Sequence, residues 1–227
     1  MTYASDIQRS ASRRLSVFAN FRAVFLGRLV SAASLWLALL FLAHLSDPAT
    51  VGRYALAQAI CIPIAEVLKM GLREVRSSDV VTPRPYQDYF RLRIVCALFA
   101  LVLIPFAASF VSATRSTFLV IAIYGMSRVV EMLSDMIYGQ FQAQERMSHI
   151  GKSQMLVGVL SLVFLLIGFA MTGSLIVAVG GQLLAYSVVL LFYDVPAVQR
   201  LDPGCLPGGG VRQWFTPSIA GLARIAL

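Results

Sequence analysis

Six residues between positions 124 and 142 carry the most visible chemistry in the sequence: Tyr124, Arg128, Glu131, Asp135, Tyr138 and Gln142. They follow one another at alternating steps of four and three. At about 100° per residue, all six lie within about ±40° of one direction, so a helix drawn through them has one polar stripe. The rest of that helix is largely Val, Ile, Leu and Met. A guanidinium can bind an anion, and carboxylates and phenols can exchange protons or hold a cation. Arg128 falls about ten residues into its apolar stretch, near the middle of a bilayer if the stretch crosses one. A lone charge there costs about 2.5–3.5 kcal/mol, so the stripe must face protein or a water-filled cavity. Arg128 and Glu131, three apart, are placed to pair. Two readings follow: an ion-pair network that only fixes helix packing, or the wall of a polar cavity. Three charges and two tyrosines exceed what one packing device needs, which favours the cavity.

Other polar residues in apolar surroundings extend this set. Arg28 stands about a turn and a half inside the first apolar stretch, where it either snorkels outward or joins the cavity. Gly27, Ser31, Ser34 and Ala38 form a small-residue stripe on an adjacent face, suited to a close helix contact. The second stretch has Arg53 at one end and Glu66 and Lys69 at the other. Glu66 could titrate in a cavity or pair with Lys69 or Arg73. Gly158, Gly168, Gly180 and Gly181, in two nearly uncharged stretches, are expected to serve packing.

No catalytic constellation accompanies these residues: there is no nucleophile–His–acid set, no phosphate loop opened by Gly208-Gly209-Gly210, and no paired acidic motif for metal-dependent phosphotransfer. An enzyme is disfavoured and no cofactor is expected. Cys61, Cys96 and Cys205 follow no ligand spacing, and with only His44 and His149 a His-rich metal site is excluded.

The elements that must position this set are membrane helices. Of 227 residues, 58% are hydrophobic and 13% charged, where soluble domains carry roughly a quarter charged. The mean hydropathy of +0.77 argues against a soluble nucleic-acid binder despite a net charge of +8. Six stretches approach the ~20 apolar residues a helical span needs: Phe21 to Leu45, Val51 to Met70, Leu92 to Val111, Thr117 to Gln144, Met155 to Thr172 and Leu175 to Tyr193. Pro63 and Pro105 are expected to kink the second and third. Ser12-Arg13-Arg14-Leu15-Ser16 loosely resembles a twin-arginine signal, but the apolar stretch after it is too long and lacks a cleavage site, so it reads as a first span. Fourteen Lys and Arg fall on the side of the N-terminal tail and only Arg53 and Arg115 on the other. By the positive-inside rule the N-terminus is cytoplasmic.

The organisation expected is therefore a cytoplasmic N-terminal segment (1–20), a six-helix bundle (21–193), a Gly/Pro-rich cytoplasmic linker (194–216) and the start of a seventh helix (217–227). Phe215, Gly221 and Ala226 faintly repeat the spacing of Phe21, Gly27 and Ala32, which suggests a second half related by an axis along the membrane normal.

Several strings in this order resemble one family. Pro48-Ala49-Thr50-Val51-Gly52-Arg53-Tyr54-Ala55-Leu56-Ala57 looks like the turn and start of its second helix. Ile62-Pro63-Ile64, Gly71-Leu72-Arg73 and Tyr138-Gly139-Gln140-Phe141-Gln142-Ala143-Gln144-Glu145-Arg146 also find counterparts. The chain thus resembles the polysaccharide biosynthesis or lipid-linked oligosaccharide flippase family, within the superfamily that includes multidrug and toxin extrusion transporters. The resemblance implies an all-α membrane protein forming one six-helix half of a twelve-to-fourteen-helix transporter that works by alternating access. It implies a polyprenyl-pyrophosphate-linked oligosaccharide as substrate and a bacterial inner (plasma) membrane as location. Arg128, then Arg28, then Arg53 would hold the pyrophosphate, since guanidinium matches phosphate oxygens bidentately, with Tyr124 and Tyr138 beside them. Glu131, Asp135 and Glu66 would couple an ion or proton. Expected partners are the lipid bilayer, a polysaccharide polymerase and glycosyltransferases, a second half or a second copy of the chain, and no nucleic acid. The alternatives are a drug or small-solute exporter of the same fold, a non-transporting membrane scaffold, and an inactive truncated fragment.

Overall fold

The protein is described here as a computed structural model covering residues 2–78 and 86–201, with side chains from Asn20 onward. Among the described residues there is no strand. Helix α1 (Thr2–Leu45) is followed by α2 (Pro48–Lys69), α3 (Leu72–Ser78), α4 (Tyr86–Val111), α5 (Arg115–Ala143), α6 (Met147–Thr172) and α7 (Leu175–Val189). A π-helical turn, Leu190–Asp194, then runs into α8 (Val195–Leu201). Six helical stretches are long and apolar enough to cross a membrane: Asn20–Leu45, Pro48–Ser77, Tyr86–Val111, Arg115–Ala143, Met147–Thr172 and Leu175–Leu201. The expected seventh segment and most of the linker lie outside the described residues.

Helix ends depart from the apolar stretches because hydropathy reports the solvent a residue prefers, not where hydrogen bonding stops. Residues 2–19 contain neither Gly nor Pro, and α1 runs through them without a break. Helix α6 begins at Met147 rather than Met155, so Gln154 belongs to a helix and not to a loop. The sixth span does not end at Tyr193. The turn after α7 widens, with the Val195 amide donating to the Leu190 carbonyl, just before Pro196, which has no N–H to continue the ladder. The chain then stays helical to Leu201 where a linker was expected. Pro63 and Pro105 both lie inside unbroken helices.

Helix α5 is central, packed against α2, α3, α4 and α7, while α1 lies along α6 and α6 along α7. One buried cluster gathers Leu42, Tyr54, Ile104, Ile121, Tyr124, Met132 and Leu165. A second, at the end of the bundle where α5 finishes, gathers Tyr89, Phe90, Met136, Ile137, Phe141 and Ile150.

The α1–α6 contact is backbone against backbone, as the small-residue stripe suggested. A Cβ on Gly151 would stand 2.2 Å from the Ala23 carbonyl oxygen, and one on Gly27 would stand 2.7 Å from that of Gly151. Gly158 meets Ser31 in the same seam. Gly168 and Gly181 likewise face backbone across α6 and α7, but nothing lies within 4 Å of a Cβ on Gly180, which serves no packing contact. The outer surface is apolar: Met171 is 81% and Phe192 79% exposed. Large side chains so placed around a bundle suit hydrocarbon better than water.

Candidate functional site

The polar stripe of α5 faces inward, as its periodicity requires, and neighbouring helices answer each of its charges. Arg128 is buried. Its Nη1 lies 2.5 Å from Glu131 Oε2, and its Nη2 donates to the Tyr186 hydroxyl of α7. The guanidinium lies over the rings of Tyr124 and Tyr186, 5.0 and 4.8 Å from their centroids, so the cation is held by π faces as well as by the carboxylate. Tyr124 in turn meets Tyr54 of α2 edge-on. Glu131 Oε1 accepts from Lys69 Nζ at 3.1 Å, and Lys69 also bonds Glu66 at 2.6 Å.

One turn further along α5, Asp135 bridges two arginines. Arg73 Nη1 approaches one oxygen at 3.3 Å and Arg93 Nη2 the other at 3.2 Å. Arg93 is completely buried. Arg73 also donates from Nε to Gln142, and its guanidinium lies over the Tyr138 ring. These contacts tie α5 to α2, α3 and α4. Removing one member of such a buried pair strands the other charge, at a cost of about 3–5 kcal/mol.

Three hollows meet at this stripe. A cavity of about 500 Å³ is bounded by Arg28 of α1, Glu66 and Lys69 of α2, Arg73 and Glu74 of α3, Glu131, Asp135 and Tyr138 of α5, and Gln154 of α6. A recess of about 110 Å³ shares Glu131, Tyr138 and Gln154 with it and reaches Arg128, Ser134 and Tyr186. A groove of about 530 Å³ shares Arg28, Arg73 and Glu74 with the cavity, but its other walls include the apolar Phe21, Val24, Met147 and Ile150. The two larger hollows fall within the ~300–1,000 Å³ of small-molecule sites. Arg28 stands at the junction of cavity and groove. It is exposed and has no ion-pair or hydrogen-bond partner among the described residues, in contrast to Lys69, Arg73, Arg93 and Arg128.

The structure thus brings together Arg28, Glu66, Arg128, Glu131, Asp135 and Tyr138, with Tyr124 behind Arg128. It does not bring Arg53 to them. That residue lies at the start of α2, roughly 24 Å along the helix from Lys69 at 1.5 Å per residue, and folds back onto Ala49 O (3.2 Å) and Thr50 Oγ1 (3.1 Å). Arg73, Arg93, Gln154 and Tyr186, which belong to the network or its hollows, do not stand out in the sequence as binding residues. Arg73 and Arg93 read only as loop charges or local partners, Gln154 falls just ahead of the expected fifth span, and Tyr186 is one of three aromatics in an otherwise apolar stretch. No spacing signal links any of them to α5, since their approach is tertiary.

No protein-family model and no solved structure matches the chain. Among curated proteins, it is 29% identical over 182 residues to the capsular polysaccharide biosynthesis protein CapF of Staphylococcus aureus, an alignment that takes in 80% of this chain. The chain spans 43% of the length of that relative. The aligned stretch is long enough to include most of the six apolar helices.

Proposed function

We propose that this bundle serves surface-polysaccharide synthesis by moving a polyprenyl-pyrophosphate-linked oligosaccharide across a bacterial plasma membrane, through alternating access with a second bundle supplied by further chain or a second copy. The observation that carries this reading is the junction at Arg28: a charged cavity and a groove walled in part by Phe21, Val24, Met147 and Ile150 share one guanidinium that no carboxylate occupies. An amphiphile whose head is sugar and diphosphate and whose tail is hydrocarbon needs those two environments side by side. Similarity to a capsular polysaccharide biosynthesis protein supports the pathway class, and the basic loops at this end of the bundle support a cytoplasmic opening.

On this reading Arg28 meets the phosphate oxygens first. Arg128, deeper and already paired, engages only when the phosphate competes with Glu131 for its Nη groups, so binding and rearrangement of the network are one event. Arg53, at the far end, takes no part in binding at this cavity. The test is complementation of a strain deleted for the gene with Arg28→Ala and Arg128→Ala. Loss of surface polysaccharide with normal amounts of inserted protein is expected; normal polysaccharide from both variants would sink the proposal.

A second reading, a non-transporting scaffold for polysaccharide assembly, is favoured by one observation: every acid of the α5 stripe is already answered by a cation. The double variant Arg128→Glu with Glu131→Arg separates the two. A scaffold tolerates the exchange, whereas a phosphate site built on that guanidinium does not.

A further inference from the structure

The α5 network leaves out one buried charge. Asp194, the last residue of the π-helical turn, is 0% exposed, and neither of its carboxylate oxygens has a hydrogen-bond partner among the described residues. Glu66, Asp88, Glu131 and Asp135 each meet a Lys or Arg; Asp194 meets none among the described residues. The polar groups beside it are hydroxyls, within an otherwise apolar cluster that includes Leu190 and Val198. Ser134 of α5 and Ser153 of α6 stand close enough to act on the carboxylate without closing a hydrogen bond to it, and Tyr138 Oη lies 2.7 Å from Ser153 Oγ.

The titratable groups facing the turn are Tyr138 on α5, Tyr193 on the turn itself, and His149 on α6, which stacks on Phe141 and lies 6.5 Å from the Tyr193 ring. Helix α7 offers only Tyr186, engaged with Arg128, and α8 only Arg200, which is exposed.

An ionised carboxylate without a counter-charge is not sustained in such a place, so the site must hold a positive species. Carboxylate and hydroxyl oxygens from three elements are hard donors, suited to a proton or an alkali cation and not to a soft metal. Ser134 and Tyr138 also line the recess that holds Arg128, which gives the site a route to the cavity. π-Turns of this kind often mark functional positions in helices.

We propose that Asp194, with Ser134, Ser153 and Tyr138, forms an exchangeable binding site for a monovalent cation, either a proton or an alkali ion. This moves ion binding away from Glu131, Asp135 and Glu66, whose charges are committed to cations of the protein. The existence of the site does not depend on what the bundle moves; only a role in driving that movement rests on the proposed function.

The experiment uses the wild-type chain in detergent and dicyclohexylcarbodiimide, which modifies protonated carboxyls in apolar surroundings, with the adduct mapped by peptide mass spectrometry. An adduct on Asp194 is expected, its yield falling about tenfold or more as the pH is raised from about 5 to about 9. At fixed pH and ionic strength, protection by sodium relative to choline identifies an alkali ion as the occupant, and equal labelling in both identifies the proton; either outcome sustains the site. Asp194→Asn controls the assignment by removing the adduct from that peptide. No adduct on Asp194 in folded protein at any pH, or one indifferent to both pH and sodium, overturns the proposal and leaves the function proposed for the cavity untouched.

Discussion

Along the α1–α6 seam, helices touch through their backbones. Gly27, Gly151, Gly158 and Ser31 remove side chains from the contact, and the carbonyl of Ala23 occupies the space a Cβ on Gly151 would need. Around α5, contact is made by long charged side chains: Arg128 to Glu131, Lys69 to Glu131, and Arg73 and Arg93 to Asp135. Small residues let the two backbones approach closely, and a contact so close leaves little room to shift. Ion pairs can exchange one partner for another of the same sign. The seam is therefore suited to hold the bundle, and the network to respond to a charged ligand at its edge. Arg28 belongs to both regions, one residue from Gly27 on the seam helix and on the wall of the cavity.

Substitutions can break this contrast, and the largest effect is expected in the seam. Gly151→Leu places a side chain where backbone atoms already sit. Overpacking against side chains costs about 1–3 kcal/mol and more where nothing can give, so no monodisperse folded protein should emerge from size exclusion in detergent. A well-folded Gly151→Leu protein would show that the seam is not closed as described.

Next in size is Asp135→Ala, which strands Arg73 and the fully buried Arg93. A loss of about 3–5 kcal/mol is expected in unfolding titrations, and adding Arg93→Met should recover a large part of it, because the stranded charge is then gone. If the single variant is as stable as wild type, the network is not a buried one.

Arg28→Ala sharpens the contrast from the other side. With no partner lost, stability should stay within about 0.5 kcal/mol, while complementation of surface polysaccharide fails. Smallest of all is Arg53→Ala, which gives up only local bonds to Ala49 and Thr50. It should change stability by no more than about 0.5 kcal/mol and leave polysaccharide intact. Equal defects in the Arg28 and Arg53 variants would erase the distinction between the cavity and the far end of α2.

Much of this was legible in the sequence because period and hydropathy are local properties. The four-three spacing from Tyr124 to Gln142 identified the inward face of α5, the i, i+3 step identified the Arg128–Glu131 pair, and the small residues from Gly27 to Ala38 identified a close helix contact. The partners that complete the site were not legible, because they arrive from far along the chain. Arg73 and Arg93 reach Asp135 across 62 and 42 residues, and in sequence each is only a basic residue near a span end. Gln154 and Asp194 were hidden for a related reason. Gln154 precedes one apolar stretch and Asp194 follows another, yet helix α6 starts early and the sixth span continues through a wide turn, so one residue reaches the cavity and the other is buried. Arg53 reads as a binding candidate from charge and family position, but neither says which end of a helix a cavity occupies.

The most direct test of the central claim is the pool of polyprenyl-linked oligosaccharides in cells deleted for the gene, measured by mass spectrometry of lipid extracts alongside surface polysaccharide. The account predicts that complete lipid-linked units accumulate while surface polysaccharide is lost, because synthesis proceeds and translocation does not. An unchanged lipid pool would contradict it.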